Sequence, residues 1–224
     1  MATEDYRYET LRIDGFLSQL VRYITQGGHY FYIRCLVPEQ KDPHVIADKL
    51  LTRYGIRRKR WERKRRNLKD AASIHFLMHG RLFVIMLSKG RHQQFYADHG
   101  GNVLDVRRTA MKAFGYSIRY SVSAGESRPK VSIRLDQETY RNVKAHMLTI
   151  AAWDSYRDKA RLEGEFRRLP YQSYSPVYQQ LYGICRMVNR ARRRRGFEPI
   201  ELRCVRRERH LQKVFREGPD TSSA

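Results

Sequence analysis

The first quarter of the chain switches from a helix-type to a strand-type hydrophobic pattern and back. Apolar residues recur every three or four positions over residues 14–28, which predicts an amphipathic helix stopped by a Gly-Gly pair. Residues 29–37 (HYFYIRCLV) are dense in aromatic and β-branched side chains, and this composition predicts a strand. An Asp-Pro pair then opens residues 42–55, where a second helical pattern runs to a glycine.

The middle of the chain carries shorter elements. Two apolar runs, 72–78 and 81–88, flank a His-Gly pair and predict a β-hairpin. Residues 92–97 extend this hairpin or form another short strand. A helical spacing of apolar residues follows over 103–114, and residues 115–123 alternate as a strand does.

The order of these elements predicts the fold class. From residue 29 to residue 123 the predicted order is strand, helix, basic helix (56–69), the two hairpin strands, helix, strand. This is the split β-α-β, or ferredoxin-like, plan, an antiparallel sheet with helices on one face. We expect an α+β fold of this kind with additional N-terminal and C-terminal helices. A strand over 130–136 ends a predicted domain of residues 1–136, and the second sheet face is left for a ligand or for the C-terminal helices.

The C-terminal third is predicted to be helical. A long helical pattern covers 137–169 and ends at a proline, and a second helix covers 176–195 and ends at a glycine. We expect residues 137–216 to form a helical region packed on the first domain. Residues 217–224 (EGPDTSSA) are predicted to be a disordered tail.

The charge of the chain is far from balanced, with 45 Lys and Arg against 23 Asp and Glu and a formal net charge of +22. Self-repulsion makes such an excess unfavourable for a compact protein unless a partner neutralises it, as nucleic-acid phosphates do. Anionic lipid is the alternative partner. The 15 Tyr and 9 Phe argue against a disordered basic tail. We therefore predict RNA or DNA as the partner, with a slight preference for RNA.

The location of the protein is predicted from what the chain lacks. No apolar run approaches the roughly 18 residues that a membrane span requires. The first ten residues, MATEDYRYET, have no apolar core of a signal peptide. We predict a cytoplasmic protein with no membrane association. Three widely spaced cysteines (Cys35, Cys185 and Cys204) predict neither a disulfide framework nor a zinc knuckle.

Two basic clusters, 56–69 and 186–209, are predicted to converge into one nucleic-acid-binding groove. Phosphate contacts would dominate the affinity, and Trp61 either anchors its helix or stacks on a base. The predicted binding residues are Arg57, Arg58, Lys59, Arg60, Trp61, Arg63, Lys64, Arg65 and Arg66 in the first cluster, and Arg186, Arg190, Arg192, Arg193, Arg194, Arg195, Arg206 and Arg207 in the second.

A catalytic alternative rests on histidines. In a nuclease or strand-transfer enzyme, His75, His79, His92 and His99 would perform acid–base chemistry. The first two lie four residues apart but on a predicted strand and turn, where they do not share the face that helical metal ligands need. No two histidines flank a single apolar residue, so the paired-histidine motif of tyrosine nucleases that process single strands is missing. We predict no metal and no cofactor.

Two segments of the chain resemble a known group of proteins. Residues 72–121 (ASIHFLMHGRLFVIMLSKGRHQQFYADHGGNVLDVRRTAMKAFGYSIRYS) and 169–200 (LPYQSYSPVYQQLYGICRMVNRARRRRGFEPI) resemble small basic proteins of unknown function encoded on bacterial plasmids and mobile elements, often beside integrase genes. The resemblance implies a mobile-element context and a DNA- or RNA-linked role, and it carries no catalytic motif.

A third hypothesis is a structural subunit that pairs with a recombinase or joins a ribonucleoprotein through the apolar helix 137–160.

Overall fold

The protein is described here by a computed structural model. The residues that the structure describes are 6–57, 70–122, 130–171, 174–205 and 214–215. The predicted disordered tail, and the end of the predicted C-terminal region from residue 206 onward except for residues 214–215, lie outside these ranges. Within the described ranges, no helix is both long enough and apolar enough to cross a bilayer.

The chain divides into two compact units, which are described separately. The first unit comprises Met1–Thr109, Tyr120–Val131 and Gln212–Ala224, and the second comprises Ala110–Arg119 and Ser132–Leu211. The predicted domain boundary at residue 136 stays a prediction. Helices and antiparallel strands are mixed along the chain, which confirms the α+β class.

The first unit is built on a four-stranded sheet. Its strands lie in the order β2-β3-β1-β4, and each neighbouring pair is antiparallel. The predictions of the first helix, the first strand, the second helix and the hairpin are confirmed. The elements are α1 (Ile13–Gly27), β1 (His29–Leu36), α2 (Pro43–Arg53), β2 (Ile74–His79), β3 (Leu82–Ser88), α3 (Gln93–His99) and β4 (Leu104–Asp105).

Side chains of this sheet alternate between two covered faces. On one face Phe76 and Ile85 are fully buried in a core that includes Leu51 of α2 and Phe95 of α3. Burying each such side chain stabilises the fold by roughly 1.5–3 kcal/mol. The other face meets α1, whose Phe16 ring lies 6.5 Å from the ring of His79. An N-terminal helix therefore lies on the face that we predicted to be free for a ligand or for the C-terminal helices.

Residues 103–114 do not form the predicted helix. They contain β4, a turn and a second short strand, β5 (Met111–Ala113). The Asp105 carboxylate accepts a hydrogen bond from the backbone N–H of Arg107 at 2.9 Å, and its carbonyl accepts from Thr109 at 2.8 Å. This side chain offers the backbone a turn in place of a helix, which is the usual competition at aspartate.

Residues 92–97 were predicted to be extended, but α3 is a helix. The His92 imidazole accepts a hydrogen bond from the backbone N–H of Phe95 at 3.2 Å and so caps the first turn. Phe95 then points into the core between α2 and the sheet, where it is fully buried. One buried residue and one cap stabilise this short helix. Neither feature produces the hydrophobic period of 3.6 residues by which a helix is predicted from sequence.

In its described residues, the second unit combines most of a three-stranded sheet with three α-helices. The sheet has the order β5-β6-β7, with β6 (Tyr116–Ser121) and β7 (Lys130–Leu135). Phe114 and Gly115 both have positive φ and join β5 to β6 by a two-residue turn. A Cβ at Gly115 would lie 2.9 Å from the Thr139 hydroxyl, so the turn requires glycine there. The helices are α4 (Gln137–Ile150), α5 (Lys159–Arg168) and α6 (Ser175–Arg194).

The helix predicted over 137–169 is two helices. It is interrupted between α4 and α5, where the Asp158 carboxylate caps α5 by accepting from the N–H of Ala160 at 2.9 Å. The carbonyls of Tyr156 and Arg157 accept from the Arg192 guanidinium instead of from the next helical turn. The side chain of Arg192, far along the chain, therefore keeps these two carbonyls out of helical hydrogen bonds.

The predicted helix 176–195 is confirmed as α6, which also closes the edge of the sheet. The side-chain oxygen of Gln180 accepts from the N–H of Leu135 at 2.8 Å, and its amide nitrogen donates to the carbonyl of Leu135 at 3.2 Å. Asn189 binds both backbone groups of Ile200 in the same way, at 2.8 Å each. Two amide side chains thus fix α6 to extended backbone on either side.

Candidate nucleic-acid interface

Most of the first basic cluster, including Trp61, lies outside the described residues. Those members are Arg58, Lys59, Arg60, Trp61, Arg63, Lys64, Arg65 and Arg66. Arg57 is described and exposed, and its guanidinium forms an ion pair with Asp48 of α2. The prediction that the two clusters converge into one groove stays a prediction.

The second cluster contains a row of arginines on one face of α6. Arg186, Arg190, Arg193 and Arg194 are all exposed. At 3.6 residues per turn they fall within an arc of about 100°, and the row is about 12 Å long. We call these four residues the arginine stripe. The opposite face of the helix is apolar and packed, with buried Val177, Leu181, Ile184, Cys185 and Val188.

The arginine stripe makes no ion pair in the described part of the chain. None of its four members makes an ion pair there, whereas Arg167 of α5 binds Glu163 at 3.0 Å. No Asp or Glu occurs in α6 at all. Four guanidinium groups therefore face solvent together, which is the arrangement that a phosphate backbone neutralises.

Arg192 does not belong to this surface, although we predicted it as a binding residue. Its side chain is fully buried and donates to the carbonyls of Glu198 at 2.7 Å, Tyr156 at 2.6 Å and Arg157 at 2.8 Å. Burial lowers the pKa of its guanidinium, and nearby acids oppose this shift. Arg192 lies on the packed face of α6. Its hydrogen bonds connect this helix to Tyr156 and Arg157 before α5 and to Glu198 after α6.

The remaining predicted members of the second cluster are placed differently. Arg195 is exposed, and its guanidinium donates to the carbonyl of Ala152 at 2.6 Å, just before Trp153. Arg206 and Arg207 lie outside the described residues. The described second cluster thus consists of the arginine stripe and Arg195.

Toward the start of α6, the helical face that carries the arginine stripe has a glycine in place of a side chain. Gly183 lies one turn before Arg186 on the same face, and a Cβ added to it would meet nothing within 4 Å. Tyr182 is half-buried beside it, with its ring 5.8 Å from that of Tyr178. Glycine inside a helix costs about 1 kcal/mol relative to alanine, and no contact with the described residues requires a glycine at this position.

The prediction missed one exposed aromatic residue in this unit, Trp153. It is 52% exposed and lies in the loop between α4 and α5. The sequence signal for this loop was the Asp158-Lys159 step, because aspartate is a preferred N-cap and marks a helix start inside the pattern of 137–169.

The histidines of the catalytic alternative lie on opposite faces of the first unit's sheet. His75 and His79 belong to the face covered by α1. The His75 ring stacks on Tyr23 with a centroid distance of 4.3 Å. Nδ1 of His79 donates to the carbonyl of Thr10 at 2.9 Å.

His92 and His99 lie on the other face, around Tyr54. Nε2 of His92 donates to the Tyr54 carbonyl at 3.2 Å, and Nε2 of His99 bonds to the Tyr54 hydroxyl at 2.7 Å. Asp98 also accepts from that hydroxyl at 3.0 Å and pairs with Arg53, which holds the pKa of Asp98 well below its usual range. Burial, with the bond to Asp98, raises the pKa of Tyr54 to about 12, so the phenol is neutral at ordinary pH.

The four histidines therefore do not share a pocket. The raised pKa of Tyr54 keeps its phenol in the neutral form. Within the described ranges, no group of three or more His, Cys, Asp or Glu side chains is arranged to hold a metal ion.

Known proteins give no further guide to the site. No known protein family, curated protein or solved structure matches this chain. The resemblance to plasmid-encoded basic proteins stays a prediction.

Proposed function

We propose that the protein binds nucleic acid, with the arginine stripe of α6 as a phosphate-binding surface. The observation that carries the proposal is the stripe itself, four exposed arginines on one helical face with no acidic partner among the described residues. The helix is docked by a packed apolar face, so the guanidinium groups are presented by a rigid element. A net charge of +22 supports the same function, because a polyanion relieves the repulsion.

Affinity would come mainly from phosphates and would carry little sequence information. Arginine binds phosphate oxygens through a planar fork of N–H donors, which lysine does not offer. Each neutralised phosphate releases counterions, so the binding constant falls steeply as salt rises. Base reading would need side chains beyond the stripe.

We also propose that the first unit is a ferredoxin-like fold. The element order β1-α2-β2-β3-α3-β4 and the strand order β2-β3-β1-β4 support it, because the split β-α-β plan places the third strand between the first two. The proposal differs from the sequence-based version in its second half. The second helix is α3 and the fourth strand is β4, in place of residues 103–114 and 115–123.

Binding as a function of salt tests the nucleic-acid proposal. Labelled single-stranded and duplex oligonucleotides are titrated with the full chain, and log affinity is plotted against log salt. Changing the stripe to glutamine at all four positions should reduce the slope by roughly 3 and weaken binding by about 100- to 1,000-fold near 0.15 M salt. A wild-type affinity that does not change with salt would contradict the proposal.

A control variant with the same net charge distinguishes the contribution of the stripe to affinity from the contribution of net charge. Arg7, Arg22, Arg34 and Arg108 are exposed arginines of the first unit, and changing them to glutamine removes the same four charges. We expect this variant to bind within a few-fold of wild type. Equal losses in the two variants would show that net charge, and not the stripe, carries the affinity.

The cellular context is a separate proposal. A mobile-element role, with a recombinase or a ribonucleoprotein as partner, is supported only by the sequence resemblance. Sequencing the nucleic acid that copurifies with the protein from cells tests it. Recovery of plasmid or element sequences is expected, and a bulk sample of cellular RNA without enrichment would contradict it.

A further inference from the structure

Trp153 is an unusual surface residue. Tryptophan is largely buried in most folded proteins, yet 52% of this side chain is exposed. The ring of Tyr156 lies 6.2 Å away and is tilted by 51°, so the two rings do not stack on each other. Much of the indole surface is thus open to a planar ligand.

The loop that carries Trp153 is held in place on both sides. The backbone N–H of Trp153 donates to the Ile150 carbonyl at 3.1 Å, and its own carbonyl accepts from Tyr156 at 3.0 Å. The buried Arg192 binds the carbonyls of Tyr156 and Arg157. A side chain on such a fixed loop loses less conformational entropy on binding than one on a mobile loop.

Arginines surround this loop and connect it to α6. Arg195 donates to the Ala152 carbonyl, which places the backbone beside Trp153 at the C-terminal end of α6, within one turn of Arg193 and Arg194. On the other side, the Arg161 guanidinium lies 4.6 Å from the centre of the Tyr156 ring. An exposed indole on a surface that also carries exposed arginines is the combination found where proteins hold unpaired bases.

We infer that Trp153 stacks on an unpaired nucleobase while Arg193 and Arg194, at the C-terminal end of α6, hold phosphates of the same strand, so the preferred ligand is a single-stranded nucleic acid or one with unpaired bases. The inference rests on the proposed function and adds to it the strandedness of the ligand. Bases of a duplex are stacked on each other and leave no face for the indole, whereas every unpaired base offers one.

Affinity for matched oligonucleotides tests the inference in the full chain. Trp153→Ala should weaken binding to oligo(dT) by about 10-fold, within the range seen for loss of one base stack. Its salt slope should not change, because stacking releases no counterions. Binding to a duplex of the same length should stay at the wild-type value. Trp153→Phe should lose less than the alanine variant, because a smaller ring remains.

Fluorescence gives a second measurement that does not depend on affinity. The sequence has two tryptophans, so Trp61→Phe leaves Trp153 as the only one. Oligo(dT) should quench its emission to a plateau at saturation, and the duplex should not.

Val45→Ala, which shortens another half-exposed apolar side chain, is the control for the affinity measurement and should bind both ligands as wild type does.

The possible failures can be told apart. If oligo(dT) and duplex both bind with steep salt dependence but Trp153→Ala changes neither and the emission is not quenched, the inference is wrong and the proposed function stands. If Trp153→Ala weakens duplex and oligo(dT) equally, the residue is structural and the inference is again wrong. If neither ligand binds, the proposed function and the inference both fail.

Discussion

Helices α5 and α6 of the second unit look alike and differ in what their arginines meet. Each has a packed apolar face, arginines toward its C-terminus, and an interior glycine with nothing within 4 Å of an added Cβ. In α5, Arg167 and Arg168 bind Glu163 at 3.0 Å and Glu165 at 3.3 Å. In α6 no acid precedes the arginines, and the stripe faces solvent.

The difference shows that a count of basic residues does not identify a binding surface. A glutamate three or four residues before an arginine lies on the same helical face and pairs with it. Such arginines are already neutralised when a polyanion arrives. The absence of acids within one turn is therefore the better sign of a phosphate-binding face, and it can be read from the sequence once the helix is known.

The largest expected effect concerns the two adjacent arginines 192 and 193. Arg192→Met should lower the free energy of unfolding by about 3 kcal/mol, because three backbone carbonyls lose the charged donors of a fully buried guanidinium. Arg193→Met, its exposed neighbour, should change stability by no more than about 0.5 kcal/mol but should weaken nucleic-acid binding. Urea unfolding of both variants provides the comparison. Similar stability losses would contradict the buried role of Arg192.

The two open glycines give the next test. Gly183→Ala and Gly164→Ala should each stabilise the protein by about 1 kcal/mol, since both lie inside helices with space for a methyl group. Only Gly183 lies beside the arginine stripe. If nucleic acid approaches α6 closely there, Gly183→Ala should weaken binding while Gly164→Ala should not. Thermal unfolding and oligonucleotide titration measure the two effects, and equal binding by both variants would exclude a close approach at Gly183.

The smallest expected effect comes from making α5 more like α6. Glu165→Gln removes the partner of Arg168, whose side chain is 79% exposed. Binding at low salt should strengthen by roughly twofold, and stability should change by less than about 0.5 kcal/mol because the ion pair is exposed. Glu138→Gln removes an equal charge from the first turn of α4 and serves as the control. A gain shared by both variants would reflect net charge alone.

Elements with a strong local pattern were predictable. The apolar period of α1, the β-branched and aromatic run of β1 and the hairpin of β2 and β3 each depend on neighbouring residues and were predicted correctly. The segment 103–114 was not, because its apolar spacing fits a helix while Asp105 binds the backbone of Arg107 and fixes a turn. Hydrogen-bond competition of this kind leaves no trace in a hydrophobic pattern.

The candidate site is partly predictable. The sequence predicts all four stripe residues, because they belong to a run of arginines at the end of a helical pattern. Arg192 was included wrongly, although the buried series of Leu181, Cys185 and Val188 continues to it with helical spacing. Trp153 was missed because the break before α5 depends on carbonyl bonds to Arg192, whose partners lie about 35 residues earlier in the chain.

The glutamine that binds Leu135 has a consequence for how molecules of this protein meet one another. An unpaired strand at the end of a sheet is a template on which a strand of a second molecule can assemble. At the end of β7, the Gln180 side chain already satisfies both backbone groups of Leu135, as a neighbouring strand would. This position is therefore closed to a strand from another copy, and intermolecular sheet growth would not begin there.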